Sequence, residues 1–406
     1  MAHTKTNIKN VAVMPAPAFV TPEQAAEADM GGPPPTQPTT FHRHAPPKGR
    51  GPKAWLAKWK HLSRNKKIII LSIIAGLLIA GGLIWWFVLR DKPQPAKPAT
   101  KQEAKVEEPP KPTTVASRLT GVQVAPELNN LPMTGVMIEN SPDARPQAGL
   151  YDAGVVYEAI AEGGITRFLA LFLETKPGYI GPVRSVRPYF LDFLVPYDAA
   201  IAHAGGSGEA LAQIKREQIK DIDHGANGST FQRVNNRFAP HNLYTSRDAL
   251  LTAQSARGYN SSNFSGFVRK ADKQVSPATA RTIDLTISGF LYNPHFDYDA
   301  TNNTYYRSEG GKPHMDEKAA KQINPKVIVV LVMSHRYAGV YSQYGTTGSG
   351  KAYFFQDGTM TEGIWEKSQR NSQFKFGDAN GAPLALNAGQ TWVSIVSSAG
   401  AVVAKP

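Results

Sequence analysis

Four arginines fall where loops or strand ends are expected: Arg145, Arg167, Arg184 and Arg187, each within two residues of Pro, Gly or Thr. A guanidinium donates two parallel hydrogen bonds and keeps its charge, so forks at loop positions suit phosphate or carboxylate ligands. Ordinary ion pairing with Glu158, Glu162 and Asp192 is the competing use of the same residues. A glycine-rich turn, His203-Ala204-Gly205-Gly206-Ser207-Gly208, directly precedes a helical pattern starting at Glu209. Backbone N–H groups at such a turn can approach an anion at the positive end of the helix. Ser207 does not fit the G-x-S-x-G nucleophile elbow, because Glu209 takes its last position, and is expected to cap the helix. Downstream, the segment Arg237 to Tyr244 adds a basic and aromatic loop that contains His241 and Asn242.

Two other patterns carry less. Gly345-Thr346-Thr347-Gly348-Ser349-Gly350-Lys351-Ala352 nearly spells a phosphate-binding loop. Ala352 lacks the magnesium-binding hydroxyl, and the residues after it read as strand rather than helix, so a hairpin loop is expected there. His203, Asp221, Asp223, His224 and His241 have no recognised ligand spacing. No resident metal or cofactor is expected; magnesium enters only if the ligand is a phosphate, with Glu158 or Glu162 to hold it.

These residues need a scaffold. Gly135 to Ile138, Val155 to Ala159 and Phe168 to Leu173 read as buried strands, and Glu209 to about Asp221 as an amphipathic helix. The expected fold is a mixed α/β domain over residues 119–265. From 276 to 406 the pattern changes to strands: Ile283, Leu285 and Ile287 alternate with polar residues, Phe296 to Tyr306 reads as a hairpin and Val327 to Met333 as a buried strand. A smaller, β-rich second domain is expected there.

Ahead of both lies a run from Ile68 to Leu89 with no charged residue. At about 1.5 Å per residue such a run spans a bilayer core of about 30 Å. Residues 30–67 hold nine Lys/Arg and no Asp/Glu, which places the N-terminus in the cytoplasm and the rest outside. Residues 1–67 read as a disordered basic tail, with Lys53 to Lys67 a candidate interfacial helix, and residues 90–118 as a Pro/Lys/Glu-rich spacer. The net charge of +13 is concentrated in this front end: residues 1–92 carry 13 Lys/Arg against 4 Asp/Glu. The folded part therefore gives no sign of binding nucleic acid. With no cysteine in 406 residues, disulfides, thiolate metal sites, a cysteine nucleophile and lipid attachment to cysteine are excluded.

The segments that carry the chemistry also resemble the YerB-like family of envelope proteins, whose biochemical function is unknown. The matching stretches run from Asn140 to Gln147, Glu162 to Phe168, Ile180 to Arg187, His203 to Ser207 and Ala239 to Asn242, then Gly348 to Gly363 and Leu386 to Val393. The resemblance implies an extracytoplasmic bacterial protein with an N-terminal domain and a smaller C-terminal one. This chain departs from lipoprotein members in lacking the anchoring cysteine, and its apolar helix takes that place. A lesser likeness to LytR-CpsA-Psr glycan transferases rests on the order of Arg167, Arg184/Arg187 and the Gly-Gly turn; Pro188 stands where that family has an aspartate.

The sequence thus reads as a tethered envelope protein. Its expected ligand is an anionic wall glycan, peptidoglycan fragment or polyprenyl phosphate, bound by Arg145, Arg167, Arg184, Arg187, the His203–Ser207 turn, His241 and Asn242. Phosphoryl or glycan transfer, and a non-catalytic scaffold, are the rival readings.

Overall fold

The computed structural model describes residues 63–89 and 113–406. The tail expected over 1–67 and the spacer over 90–118 thus fall largely outside the described residues. Helix α1 (Arg64–Leu89) takes in the whole apolar run, and its first residues are the basic Arg64, Lys66 and Lys67. It is long and apolar enough to cross a membrane, and none of its most apolar stretch is buried.

Residues 113–406 form one compact unit. Its first half supplies β1 (Thr134–Glu139), β2 (Val155–Glu162), β3 (Ile165–Phe172), α2 (Pro188–Leu194), β4 (Ala200–His203), α3 (Gly208–Glu217), β5 (Asp221–Asp223) and α4 (Arg247–Ala256). The hairpin between β2 and β3 closes in two residues, Gly163 and Gly164, with φ of +57° and +79°. Glycine takes both positive-φ positions without strain, so this pair fits the tight two-residue turn that joins the strands. The helix read from Glu209 to Asp221 stops early: Gln218 turns left-handed at φ 53°, and Asp221 to Asp223 leave as β5 beside β4.

The second half begins with a small sheet: β6 (Thr282–Leu285), the hairpin β7 (Pro294–Asp299) and β8 (Thr304–Glu309), and β9 (Lys312–Pro313). Next come β10 (Val327–Val332), the ribbon β11 (His335–Ala338) and β12 (Tyr341–Tyr344), β13 (Gly348–Gln356), β14 (Thr359–Lys367), β15 (Lys375–Asp378), β16 (Thr391–Val396) and β17 (Val402–Lys405). The segment expected as a loop at Gly345 to Ala352 is half strand, because β13 already begins at Gly348.

The two halves do not build separate sheets. One sheet runs β15-β14-β13-β10-β16-β2-β3-β1-β4-β5, and its seam is the parallel pair β16–β2, where Trp392 lies opposite Val156 and Ser394 opposite Glu158. Both faces are covered, so the central strands bury nearly every residue and show long apolar stretches instead of a clean alternation. In β10, Val327, Val329 and Leu331 join the core under α2 and α3. Ile328 and Val330 join the opposite core, together with Ile283, Phe296 and Tyr305 of the small sheet. No alternation was visible to betray which residues faced which layer.

Across that second core lies a buried ionic cluster. Arg307 on β8 donates from Nη2 to both oxygens of Glu158 on β2, at 2.9 and 3.0 Å, and to Glu309 Oε1 at 3.1 Å. Trp392 Nε1 on β16 donates to Glu158 Oε2 at 2.9 Å, and the Arg307 guanidinium lies 4.7 Å from the Trp392 ring centroid. Burial by itself would lower the Arg307 pKa, but Glu158 and Glu309 outweigh it and hold it above the ordinary value. Burial, with Arg307 adding to it, drives His314 well below the usual imidazole range, so this ring sits neutral between Arg307 and Gln147.

Removing one partner of a buried pair leaves an uncompensated charge, at about 3–5 kcal/mol. Arg307→Met is therefore expected to destabilise the protein by about that much in urea unfolding. Adding Glu158→Gln should recover more than half of the loss. A single-variant loss below about 1 kcal/mol would mean that the pair does not hold the halves together.

Candidate functional site

Strands β10, β16, β2, β1, β4 and β5 all point the same way. Ligands of open α/β sheets bind outside the carboxyl ends of such strands, and the residues singled out in the sequence collect along that edge. They do not form one site there.

Arg167 and Arg187 meet on a single carboxylate. Arg167 Nη2 reaches Glu162 Oε1 at 2.7 Å, and Arg187 Nη2 reaches Glu162 Oε2 at 2.8 Å. Burial alone would raise the Glu162 pKa, but the two guanidiniums prevail and hold it below the usual carboxylate value. Arg184 pairs instead with Glu139, at 3.0 Å, whose other oxygen accepts from His241 Nδ1 at 3.0 Å. Ser141 also donates to Glu139, at 2.9 Å. Arg145 stands apart, bonded to Asn140, to the Leu291 carbonyl and to Glu309. Each arginine expected to hold a ligand thus has a carboxylate within ion-pair distance.

The glycine turn is built from beneath. His203 is fully buried, with Nε2 2.8 Å from Asp221 Oδ1 and Nδ1 2.7 Å from the Gly205 carbonyl. Gly205 takes φ +65°, and its N–H donates to Asp223 at 2.8 Å. Gly206 lets the turn press on the 183–187 segment, since a Cβ there would lie 2.9 Å from Val186 Cγ1. Ser207 caps α3 by accepting from the Ala210 N–H, as its position predicts. Asn242 accepts from Arg233 at 2.7 Å and donates to the Val234 carbonyl, which fastens its own loop. His203 and Asn242 therefore shape the edge from within it.

Beside these residues opens a cleft of about 710 Å³ between the start of α2, the start of α3 and the β11–β12 ribbon. Of the expected site residues, Arg187 and Ser207 line it. The remaining cations are Arg216, Arg336 and Arg370, and the rings are Tyr189, His335, Tyr341 and Tyr344. The ribbon joins the main sheet where Tyr341 pairs with Glu162, and the Arg187 guanidinium lies 5.1 Å from the Tyr341 ring centroid. Arg370 spans Asp192 and Glu217 and leaves Nη2 buried with no hydrogen-bond partner. Arg336 is exposed and has no ion pair among the described residues. The ribbon residues escaped the sequence reading, although Ser334-His335-Arg336-Tyr337 and Tyr341-Ser342-Gln343-Tyr344, mirrored about Ala338-Gly339-Val340, carry a hairpin signal with basic and aromatic content.

Comparison with known proteins places this geometry in context. Residues 119–260 match the N-terminal domain described as "Protein of unknown function (DUF3048)", and residues 283–393 match its C-terminal domain. The protein named "Putative lipoprotein YerB" of Bacillus subtilis (strain 168) is 31% identical over 300 residues, covering 68% of this chain and 85% of that one. The crystal structure of YerB protein from Bacillus subtilis matches with a TM-score of 0.66 at 27% identity, over 72% of this chain and 100% of that chain.

Glu162 yields a pH prediction. Its native carboxyl gives up its proton at lower pH than the unfolded one, with a reference value of 4.5. The two ion pairs therefore add stability above that pH, and the contribution is lost as pH falls through the native value. Urea unfolding at pH 6 and pH 3.5 should show a smaller acid loss for Glu162→Gln than for the wild type; an equal loss would mean that the pairs contribute nothing.

Proposed function

This chain belongs to the DUF3048 family, and from that premise we propose that it is a single-pass envelope protein whose extracytoplasmic unit binds an anionic wall glycan, peptidoglycan fragment or polyprenyl phosphate in the cleft beside the β11–β12 ribbon. The lipoprotein relative supports an envelope location. Helix α1 supplies the tether in a chain with no cysteine to carry a lipid, and the basic residues preceding it favour a cytoplasmic N-terminus.

The observation that carries the binding reading is the composition of the cleft. Arg216, Arg336 and Arg370 join the N-terminal end of α3 along one wall system, with Tyr341 and Tyr344 as ring faces. Cations offer charge-assisted bonds to phosphate or carboxylate, and aromatic faces offer apolar area to a sugar or prenyl chain. Arg216 shares Glu217 with Arg370 but its side chain is 63% exposed, and Arg336 has no ion pair among the described residues, so these two are more open to a ligand than the half-buried or buried Arg145, Arg167 and Arg184. The magnesium-assisted transfer reading loses its proposed ligands, since Glu158 is held by Arg307 and Trp392, and Glu162 by two arginines.

One observation favours the scaffold reading. Phe238 on its loop, Phe290 at a short 3-10 turn and Tyr337 and Val340 on the ribbon are 91%, 71%, 55% and 62% exposed, and apolar side chains presented this way suit a protein partner.

The full chain in detergent micelles, titrated with polyprenyl pyrophosphate and with muropeptides, tests the binding reading. Binding should weaken as salt rises, and Arg216→Ala with Arg336→Ala should weaken it by about 10-fold or more at unchanged melting temperature. Equal affinity in that variant would remove the cleft from the account.

A further inference from the structure

The same cleft holds a serine and a histidine in contact. His335 Nε2 lies 3.0 Å from Ser342 Oγ, within the range of a nucleophile and its general base, and both residues line the cleft. We infer that Ser342 and His335 form a nucleophile–base dyad that transfers acyl groups from ester-linked donors carried by the anionic polymer. The anionic character of the donor rests on the binding reading above; the dyad itself does not.

Sequence-distant features converge on the pair. In the ribbon, His335 lies opposite Tyr344 and Ser342 opposite Tyr337, so serine and histidine meet across the diagonal of the register. The imidazole is fixed by rings instead of by a carboxylate. Tyr344 stacks on it at 4.7 Å and 29°, and Tyr337 meets it edge-on at 4.7 Å and 77°. Burial lowers the His335 pKa, which keeps a lone pair available for proton abstraction at neutral pH. Ser342 is 3% exposed overall, on a strand pinned to the main sheet through its neighbour Tyr341.

The surroundings suit acyl chemistry. Ser207 and Glu209, from the first turn of α3, line the same cleft, where a helix N-terminus favours developing negative charge. The other serines of interest lack this combination: Ser207 is committed to its cap, and Ser141, beside Glu139 and His241, does not line the cleft.

The chemistry balances with water or an acceptor hydroxyl as the only co-reactant. His335 Nε2 takes the Ser342 proton as Oγ bonds to the ester carbonyl carbon. The carbon–oxygen bond to the leaving alcohol then breaks, and the departing oxygen receives that proton from His335. Water, or a hydroxyl of a second glycan, next loses its proton to His335 as it attacks the acyl-serine. Ser342 leaves with that proton, and the acyl group ends on the acceptor.

A fluorophosphonate probe, which phosphonylates activated serines, tests the dyad on the full chain in detergent micelles, with peptide mapping by mass spectrometry. One adduct is expected, on Ser342. Ser342→Ala should abolish it, and His335→Asn should slow labelling by about 100-fold or more with the melting temperature retained. A wild-type protein that takes no adduct at Ser342, or a His335→Asn variant that labels at the wild-type rate, overturns the inference. A parallel titration with polyprenyl pyrophosphate separates the two claims. Labelling without polymer binding leaves the dyad standing and refutes the anionic donor, whereas binding without labelling refutes the dyad and leaves the binding reading intact.

Discussion

A carboxylate buried at the seam of a sheet has to be answered, and the way Glu158 is answered organises this molecule. It sits on β2 with no solvent exposure, one strand away from the segment that enters the sheet last. Trp392 on that neighbour and Arg307 from the small sheet both donate to it, so three stretches of chain separated by more than 80 residues must meet before its charge is compensated. An unpaired ion there would cost several kcal/mol. The pair thus penalises arrangements in which the halves come apart, while the apolar area on both faces of the sheet supplies the attraction.

The site follows from the same joint. Once β16 lies beside β2, β10 is next in line, and the ribbon that follows β10 returns across the carboxyl end of β2 to pair with Glu162. The cleft therefore belongs to neither half alone: α2 and α3 come from one, and the ribbon and Arg370 from the other. The arginines of the first half are largely occupied in neutralising Glu139, Glu162 and Glu309 along that edge. A guanidinium pays a desolvation cost when buried, as the lowered pKa of Arg187 reflects, and a shared carboxylate offsets part of it. The cations most open to a ligand are Arg216, paired only at the surface with Glu217, and the exposed Arg336.

Local features were legible and their assembly was not. Strands with strong apolar runs, the hairpin around Asp299 to Asn303, the cap at Ser207 and the apolar α1 all announce themselves within a few residues. Gln218 gives no such notice, because its left-handed turn is imposed by β5 pairing with β4. The boundary near residue 270 is a real change of composition, yet strands from both sides share a sheet, since strand order depends on contacts that no local pattern encodes. Arginine type and loop position suggested an anionic ligand; the anions that all four meet in the structure are the protein's own glutamates. His335 and Ser342 lie seven residues apart with no motif linking them, and only the register of a two-stranded ribbon brings them together.

The central claim is that residues 113–406 are one cooperative unit fastened at the Glu158 seam, with the cleft as a product of that union. Native-state hydrogen exchange of the full chain in rising urea, followed on peptides from β2, β8 and β16, tests it most directly. The account predicts that the slowest amides of all three open together, with one free energy and one urea dependence. Protection in β8 or β16 that is lost at clearly lower urea than in β2 would show that the halves fold independently, and would contradict it.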